Sequence, residues 1–429
     1  MQNIANADDI LPILKSKRNA LVSGSAGTGK TTFASSFAET IPYSILAATT
    51  GVAALNLGGE TVHRLLGLGI TSRPEEANKI ISHWEKIKKS KASWDVLRWQ
   101  TIKNLKTLII DEASMLRKDQ FELIDIVLSN IKDSPLPFGG IQIVLISDFF
   151  QLGPVVTTSD LFMYPDLKDP YCFQSNLWEK ANFESFNLTT NYRQGEGQFL
   201  SALEKIRVGD ITSEIEDMLN SRVGADLKIP MNPVKLYPHK VDVSKENMEC
   251  LKKLNGTKYV SEAEFEGKKY DTDILKKECP AESSLYFCVG AQVMMINNDK
   301  ERKWVNGTLG IIRCCDPLQI ELSTNNIVSV DLHTWERCVP YLDKATGEIK
   351  RQCTGKMRQY PFSLAWSSSI HRSQGLTLDY IETDLSKCFS PGQAYTALSR
   401  VKALSGLKLL GWNKQSIFAD ERVKKFYGI

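Results

Sequence analysis

The sequence predicts an α/β protein built on a parallel, doubly wound sheet. Three observations carry this reading. Apolar strands and helices alternate from about residue 20 onward, a glycine-rich loop joins the first such strand to a helix, and a later apolar strand closes in two adjacent carboxylates.

Residues 1 to 19 read as a short capped helix leading into the first strand, Ala20 to Val22. The loop that follows runs Gly24, Ser25, Ala26, Gly27, Thr28, Gly29, Lys30, Thr31 and Thr32. Glycines let backbone N–H groups turn inward around phosphate oxygens, and a helix starting near Lys30 adds the positive end of its dipole. In this spacing Lys30 reaches the β and γ phosphates and the Thr31 hydroxyl ligates Mg²⁺. A simple turn would need neither the strand before the loop nor the helix after it. The stretch points to a nucleoside triphosphate.

Ser44 to Thr49 is a second buried strand, followed by Thr50-Gly51-Val52-Ala53-Ala54. Between about 59 and 106 the pattern changes. From Lys79 to Lys106 there are eight Lys or Arg residues against Glu85 and Asp95, with Trp84, Trp94 and Trp99 among them. Two readings stay open: a basic, aromatic surface for DNA, or a helix that buries Ile80, Ile81, Trp84 and Ile87 and leaves its lysines solvated. The second is favoured for the tryptophans. Leu105 to Ile110 returns to strand and ends in Asp111-Glu112, where Asp111 would hold the Mg²⁺ shell and Glu112 would orient and deprotonate the attacking water. A helix from Asp119 to Asn130 and a proline-rich loop lead to the strand Gly140 to Ile146. That strand runs into Ser147-Asp148-Phe149-Phe150-Gln151, whose amide is placed to sense the γ phosphate.

Composition narrows the class. At 429 residues, with 42% apolar and 24% charged positions, the chain has material for two to four ordinary soluble domains. Asp8 and Asp9 interrupt the first apolar run, so no secretory signal is expected. No apolar run approaches the ~20 residues that span a membrane. The expectation is a soluble, cytoplasmic protein without membrane partners, nucleoid-associated if bacterial. Nine cysteines without Cys-x-x-Cys spacing and five scattered histidines argue against zinc and for reduced, mostly buried thiols. The formal charge of +3 decides nothing about nucleic acid.

The set Gly24 to Thr31, Asp111-Glu112-Ala113-Ser114-Met115, and Phe138-Gly139-Gly140-Ile141-Gln142 with Asp148-Phe149-Phe150-Gln151-Leu152 resembles the petite-integration-frequency family of superfamily 1 DNA helicases, relatives of RecD and Dda. The remaining motifs follow in family order. Thr50 to Asn56 with Thr61-Val62-His63 resembles a DNA-contacting segment. Asn191-Tyr192-Arg193-Gln194 resembles the motif that lends an arginine to the γ phosphate. Val289 to Met295 with Val305 to Gly310 resembles the entry to a small inserted barrel. Ser369-Ile370-His371-Arg372-Ser373-Gln374-Gly375 resembles the motif coupling nucleotide to DNA, and Gln393 to Arg400 the last, whose arginine also reaches the γ phosphate. The likeness covers about residues 20 to 412. Departures are Asn6, near where a glutamine usually reads adenine, Ser147 for the usual glycine and Gly153 for a proline. The chain is also expected to begin almost at the motor.

The resemblance implies two RecA-like domains with parallel sheets and ATP between them: 1–170 with a wedge-like insert at 59–102, and 171–429 with an SH3-like β-barrel insert near 275–345. It implies Lys30, Asp111, Glu112, Gln151, Arg193 and Arg400 as catalytic residues, and Gln374 and Gly375 beside the loop as nucleotide contacts. Thr31 and Asp111 take Mg²⁺, and Thr50, Gly51, His63, Ser369, His371 and Ser373 meet DNA. The implied activity is ATP-dependent translocation on single-stranded DNA, 5′ to 3′, with unwinding of forked or tailed duplex in replication, recombination or repair. G-quadruplex DNA is left open as a partner, and a monomer is expected in solution. Two rivals stand: a translocase or clamp that separates no duplex, and an RNA helicase.

Overall fold

The computed structural model describes residues 1–429 apart from 6, 70–72, 91, 193–196, 228, 230 and 239–242. Asn6 and Arg193 therefore lie outside the described residues. Two compact units emerge: 1–149 with 153–192 and 336–355, and 150–152 with 193–335 and 356–429.

The first unit is organised by seven strands: β1 (Gln2–Ile4), β2 (Ala20–Gly24), β3 (Ser44–Ala48), β4 (Glu60–Thr61), β5 (Thr107–Asp111), β6 (Gln142–Ser147) and β7 (Glu184–Leu188). They lie in the order β1-β7-β2-β6-β5-β3-β4, all parallel. Every residue of β2, β5 and β6 is buried, as expected of strands covered on both faces. Phe33 and Phe37 of the helix Lys30–Thr40 pack with Ile10 and Leu14 against Val22, Ile109, Val144 and Ile146. The helix Lys118–Lys132 buries Phe121, Leu123, Ile124 and Val127, and Phe121 meets Phe138, Trp178 and Phe183.

Two local expectations change. The opening segment is not a capped helix alone: β1 forms a parallel edge strand on β7, and the short helix Leu11–Lys15 has no side-chain cap at Ile10. The stretch 171–192, which the sequence division assigns to the second half, groups with the first because β7 pairs with both β1 and β2.

In the second unit the strands Ser367–Ser369, Val234–Tyr237, Ile381–Asp384 and Leu407–Gly411 form a parallel sheet in that order. A five-stranded antiparallel sheet runs Ile327–Ser329, Leu318–Leu322, Leu309–Cys315, Gln292–Met295 and Phe362–Leu364. Its core joins Leu285, Phe287, Val293, Trp304, Ile312, Ile320 and Phe362. Between its last two segments in the chain, His333–Leu342 and Ile349–Gln359 form neighbouring strands beside Glu264–Gly267. Among the described residues no helix is long and apolar enough to cross a membrane.

Candidate active site

Parallel register aligns the carboxyl ends of the central strands, because Ser23 pairs with Ser147 and Ala48 with Asp111. Ligands of open α/β sheets gather at that edge. β2 delivers the chain to the loop 25–29, and Gly29, at φ 76°, turns it into the helix Lys30–Thr40. That left-handed conformation suits glycine. Thr28 steadies the loop by donating its hydroxyl to the Ser25 carbonyl at 3.0 Å. The Lys30 ammonium donates to the carbonyls of Gly24 and Ser25, each at 2.7 Å, which holds the charge at the loop. Asn191 and Tyr192 fasten the loop from behind: the Asn191 amide donates to Ala26 at 2.7 Å, and the Tyr192 N–H to Gly27 at 2.9 Å.

Asp111 ends β5 and is 4% exposed. Burial pushes its carboxyl above the ordinary carboxylate range, while the Glu112 N–H, the Thr31 hydroxyl and the Lys30 charge pull the other way. Thr31 and Asp111 thus stand together as a hydroxyl and a carboxylate, hard oxygen donors that suit Mg²⁺. No cluster of three or more carboxylate, histidine or thiol ligands occurs among the described residues. A small donor set of this kind matches Mg²⁺, which is held by one or two carboxylates plus substrate phosphates. Glu112 adopts φ 54°, ψ 39°, a left-handed conformation uncommon outside glycine and often found where function is stored. The Thr49 hydroxyl donates to its carbonyl at 2.8 Å, and the Thr49 N–H to the Asp111 carbonyl at 3.1 Å. The sequence reading overlooked Thr49; the signal is a hydroxyl at the end of an apolar strand.

The residues expected at DNA separate by burial. The Thr50 hydroxyl accepts from the Ala53 N–H at 3.3 Å and caps the helix that opens with Gly51. His63 is half-buried in the helix Val62–Leu66, and its Nε2 is a buried atom with no hydrogen-bond partner among the described residues. Burial lowers its pKa, with Gln120 opposing and Arg117 and Arg64 assisting. In the second unit Ser373 is fully buried and donates to the Ile370 carbonyl at 2.8 Å. Ser369 receives the Arg372 N–H at 3.2 Å, whereas His371 and Arg372 themselves face solvent. Arg372, to which the sequence reading assigned no role, is as exposed as His371.

Gln151, Gln374, Gly375 and Arg400 also fall in the second unit. Gln374 donates its N–H to the His371 carbonyl at 3.2 Å, and Gly375 is exposed at φ 80°. Gly392, at φ 74°, abuts the segment carrying Gln151. A Cβ there would lie 2.4 Å from the Phe150 carbonyl and 2.6 Å from that of Gln151. Phe150 packs on Tyr427, 4.8 Å between ring centres, and the Arg207 guanidinium lies 4.6 Å from the Phe150 ring and 5.7 Å from that of Tyr427; no motif pointed to Arg207. Arg400 is 1% exposed, and its guanidinium donates to the Thr396 carbonyl at 2.9 Å and the Ser399 hydroxyl at 2.7 Å. It also reaches the Ser373 and Leu376 carbonyls at 3.5 and 3.4 Å, tying the helix Gln393–Leu398 to the preceding motif.

Parallel sheet, phosphate loop, opening helix and carboxylate pair together define a phosphate-loop nucleoside triphosphatase. The chain belongs to the PIF1-like helicase family, whose description matches residues 8–224. It is 33% identical over 421 residues to the ATP-dependent DNA helicase Pif1 of Bdellovibrio bacteriovorus, covering 97% of this chain and 90% of that one. It is 31% identical to human ATP-dependent DNA helicase PIF1, covering 94% of this chain and 60% of the human protein. Among solved structures, Bacteroides Pif1 in complex with ADP-AlF4 superposes with a TM-score of 0.84 at 30% identity, over 98% of this chain and 97% of that one. Bacteroides Pif1 bound to single-stranded DNA gives 0.65 at 29% identity, over 98% and 95%.

Proposed function

We propose that this chain is an ATP-dependent DNA helicase that moves 5′ to 3′ on single-stranded DNA and separates forked or tailed duplexes. The observation that carries this reading is the grouping of Lys30, Thr31 and Asp111 at the end of β2 and β5, with Glu112 held in place beside them. Relatives of this family bear the name ATP-dependent DNA helicase and have been solved with a nucleotide analogue and with single-stranded and forked DNA.

In this reading the loop N–H groups and Lys30 bind the β and γ phosphates. Thr31 and Asp111 hold Mg²⁺, which offsets phosphate charge when bound. Glu112 orients water and takes its proton. Arg193 and Arg400 answer the γ phosphate from the second half of the chain, and Gln151 reports its loss. The two units correspond to two RecA-like motor domains. A wedge-like insert at 59–102 takes in the helix Ala77–Lys88 and most of Ser93–Asn104, and an SH3-like insert near 275–345 takes in four strands of the five-stranded antiparallel sheet. The free protein is a monomer in solution.

Glu112→Gln tests the assignment, since it keeps shape and removes the base. Turnover should fall ~10² to 10⁴-fold, with ATP-dependent DNA affinity retained and unwinding of a 5′-tailed duplex lost. Unwinding at the normal rate would remove Glu112 from the mechanism. DNA-stimulated turnover by wild type without any strand separation would leave a translocase or clamp.

A further inference from the structure

The hairpin formed by His333–Leu342 and Ile349–Gln359 carries two cysteines, Cys338 and Cys353, one on each strand. Its register follows from the turn. The Asp343 N–H donates to the Glu348 carbonyl at 2.8 Å while its own carbonyl accepts from the Gly347 N–H at 2.7 Å, so Gly347 and Glu348 both oppose Asp343 where the turn closes and the ladder starts at 342 and 349. Counting back, Leu342 faces Ile349, Pro340 faces Arg351 and Cys338 faces Cys353. In an antiparallel ladder every second pair is not hydrogen-bonded, and its N–H groups point away from the partner strand. The neighbours obey that rule: Leu342 donates its N–H to the Thr101 hydroxyl at 2.8 Å, and position 340 is a proline, which has none. The same count sets Thr354 opposite Arg337, and the two share hydrogen bonds through the Thr354 hydroxyl at 2.7 and 3.4 Å.

Cys338 and Cys353 therefore occupy a directly opposed, non-hydrogen-bonded pair. Such pairs bring Cα atoms to about 4.5 Å and side chains closest together. That lies inside the range of about 4.4 to 6.8 Å over which a disulfide closes without moving backbone. Both residues are reduced and half-buried, so a small reagent can reach them. Their thiols lie close enough to interact: after burial, Cys353 is the strongest influence holding the Cys338 thiol above its ordinary pKa, with Arg351 and Arg337 opposing.

We propose that Cys338 and Cys353 are a reversible oxidation site, a cross-strand dithiol that takes low-molecular-weight disulfides of the glutathione type. One cysteine thiolate attacks a sulfur of the small disulfide, forming a mixed disulfide and releasing one small thiol. The second thiolate attacks the protein sulfur of that mixed disulfide, closing the Cys338–Cys353 bond and releasing the second small thiol. Two electrons and two protons pass from the protein pair to the small disulfide, and an excess of small thiol runs the sequence backwards. Of the other cysteines, Cys172, Cys279 and Cys388 are pushed up to about 12 by burial, which withholds their thiolates. The bond would staple the two strands next to Arg337 and Arg351, the residues that bind Glu60 and the Leu57 carbonyl.

The test exposes the folded, full-length protein to oxidised glutathione, quenches with an alkylating agent and maps tryptic peptides by mass. The expected product is Cys338–Lys344 joined to Gln352–Lys356, two hydrogens lighter than the separate peptides and released by dithiothreitol. Cys338→Ser and Cys353→Ser should each lose the link and retain a stable glutathione adduct on the remaining cysteine. The wild-type map stands without the variants. Glutathione adducts on both cysteines with no link between them, or a link from either to another cysteine, would overturn the proposal.

Discussion

Asp111 and Glu112 follow one another in the chain, yet the backbone gives them different environments. Asp111 is the last residue of a buried strand and faces Thr31 and Lys30, whereas Glu112 is turned aside by its left-handed conformation. Lys30 is the residue whose loss should be felt first, since its ammonium is already held at the loop. Lys30→Ala should remain folded and lose at least ~10² in ATP turnover, the usual cost of removing one charge-stabilising donor; near-normal turnover would refute the site. His63 offers a pH test. Burial lowers its folded pKa below the ordinary 6.5, so the unfolded chain binds the extra proton more readily. Its contribution is complete above about pH 6.5 and is lost as pH falls through that value toward the lower folded pKa. Melting temperature between about pH 7.5 and 5 should drop more for wild type than for His63→Gln, and parallel curves would show that His63 takes up its proton equally in the folded and unfolded states.

At the scale of elements, the helix Ala77–Lys88 divides its residues by face. Ala77, Ile80, Trp84 and Ile87 are buried at helical spacing, and the Trp84 indole N–H donates to the Leu66 carbonyl at 2.8 Å. Arg98 lies over Trp84, and Lys88 and Lys103 approach the half-buried Trp99 at 5.3 and 6.0 Å. The Trp94 side chain is outside the described residues. The tryptophan at 84 is therefore core, as the periodicity suggested, while Lys86, Lys88 and Lys89 are exposed. Replacing these three lysines with alanine should weaken single-stranded DNA binding alike for all sequences. The slope of log affinity against log salt should also shrink by ~0.7 for each phosphate the variant no longer neutralises. An unchanged slope would make this face solvent-exposed only. Gly153 sits close to a ring: a Cβ there would come within 2.9 Å of the Tyr171 hydroxyl, so the proline the family pattern favours would require the Tyr171 side chain to shift.

At the scale of the whole molecule, the first unit contains the hairpin end 336–355, which arrives from far along the chain. Its anchor is the Arg337–Glu60 ion pair, with side chains only 6% and 8% exposed. Glu60→Gln keeps the shape and leaves the arginine charge uncompensated. The expected loss is about 3 to 5 kcal/mol, measured by denaturant unfolding, and Arg337→Gln in the same chain should recover much of it. No loss would mean that solvent already screens the pair. Sequence alone determined the phosphate loop, the Asp111-Glu112 ending, the order of the motifs and the four central strands β2, β3, β5 and β6 of the first sheet. Those features are written locally, as glycine spacing, apolar runs and the residue type at the end of a strand. Tertiary structure decided what local pattern cannot encode. It joined β7 to β1 and β2, put Thr50 on a helix cap, buried Ser373 and Arg400, and seated Arg337 on Glu60. Each of those outcomes depends on a partner distant in sequence, and a polar side chain becomes a cap, an anchor or an exposed group only when folding decides what surrounds it.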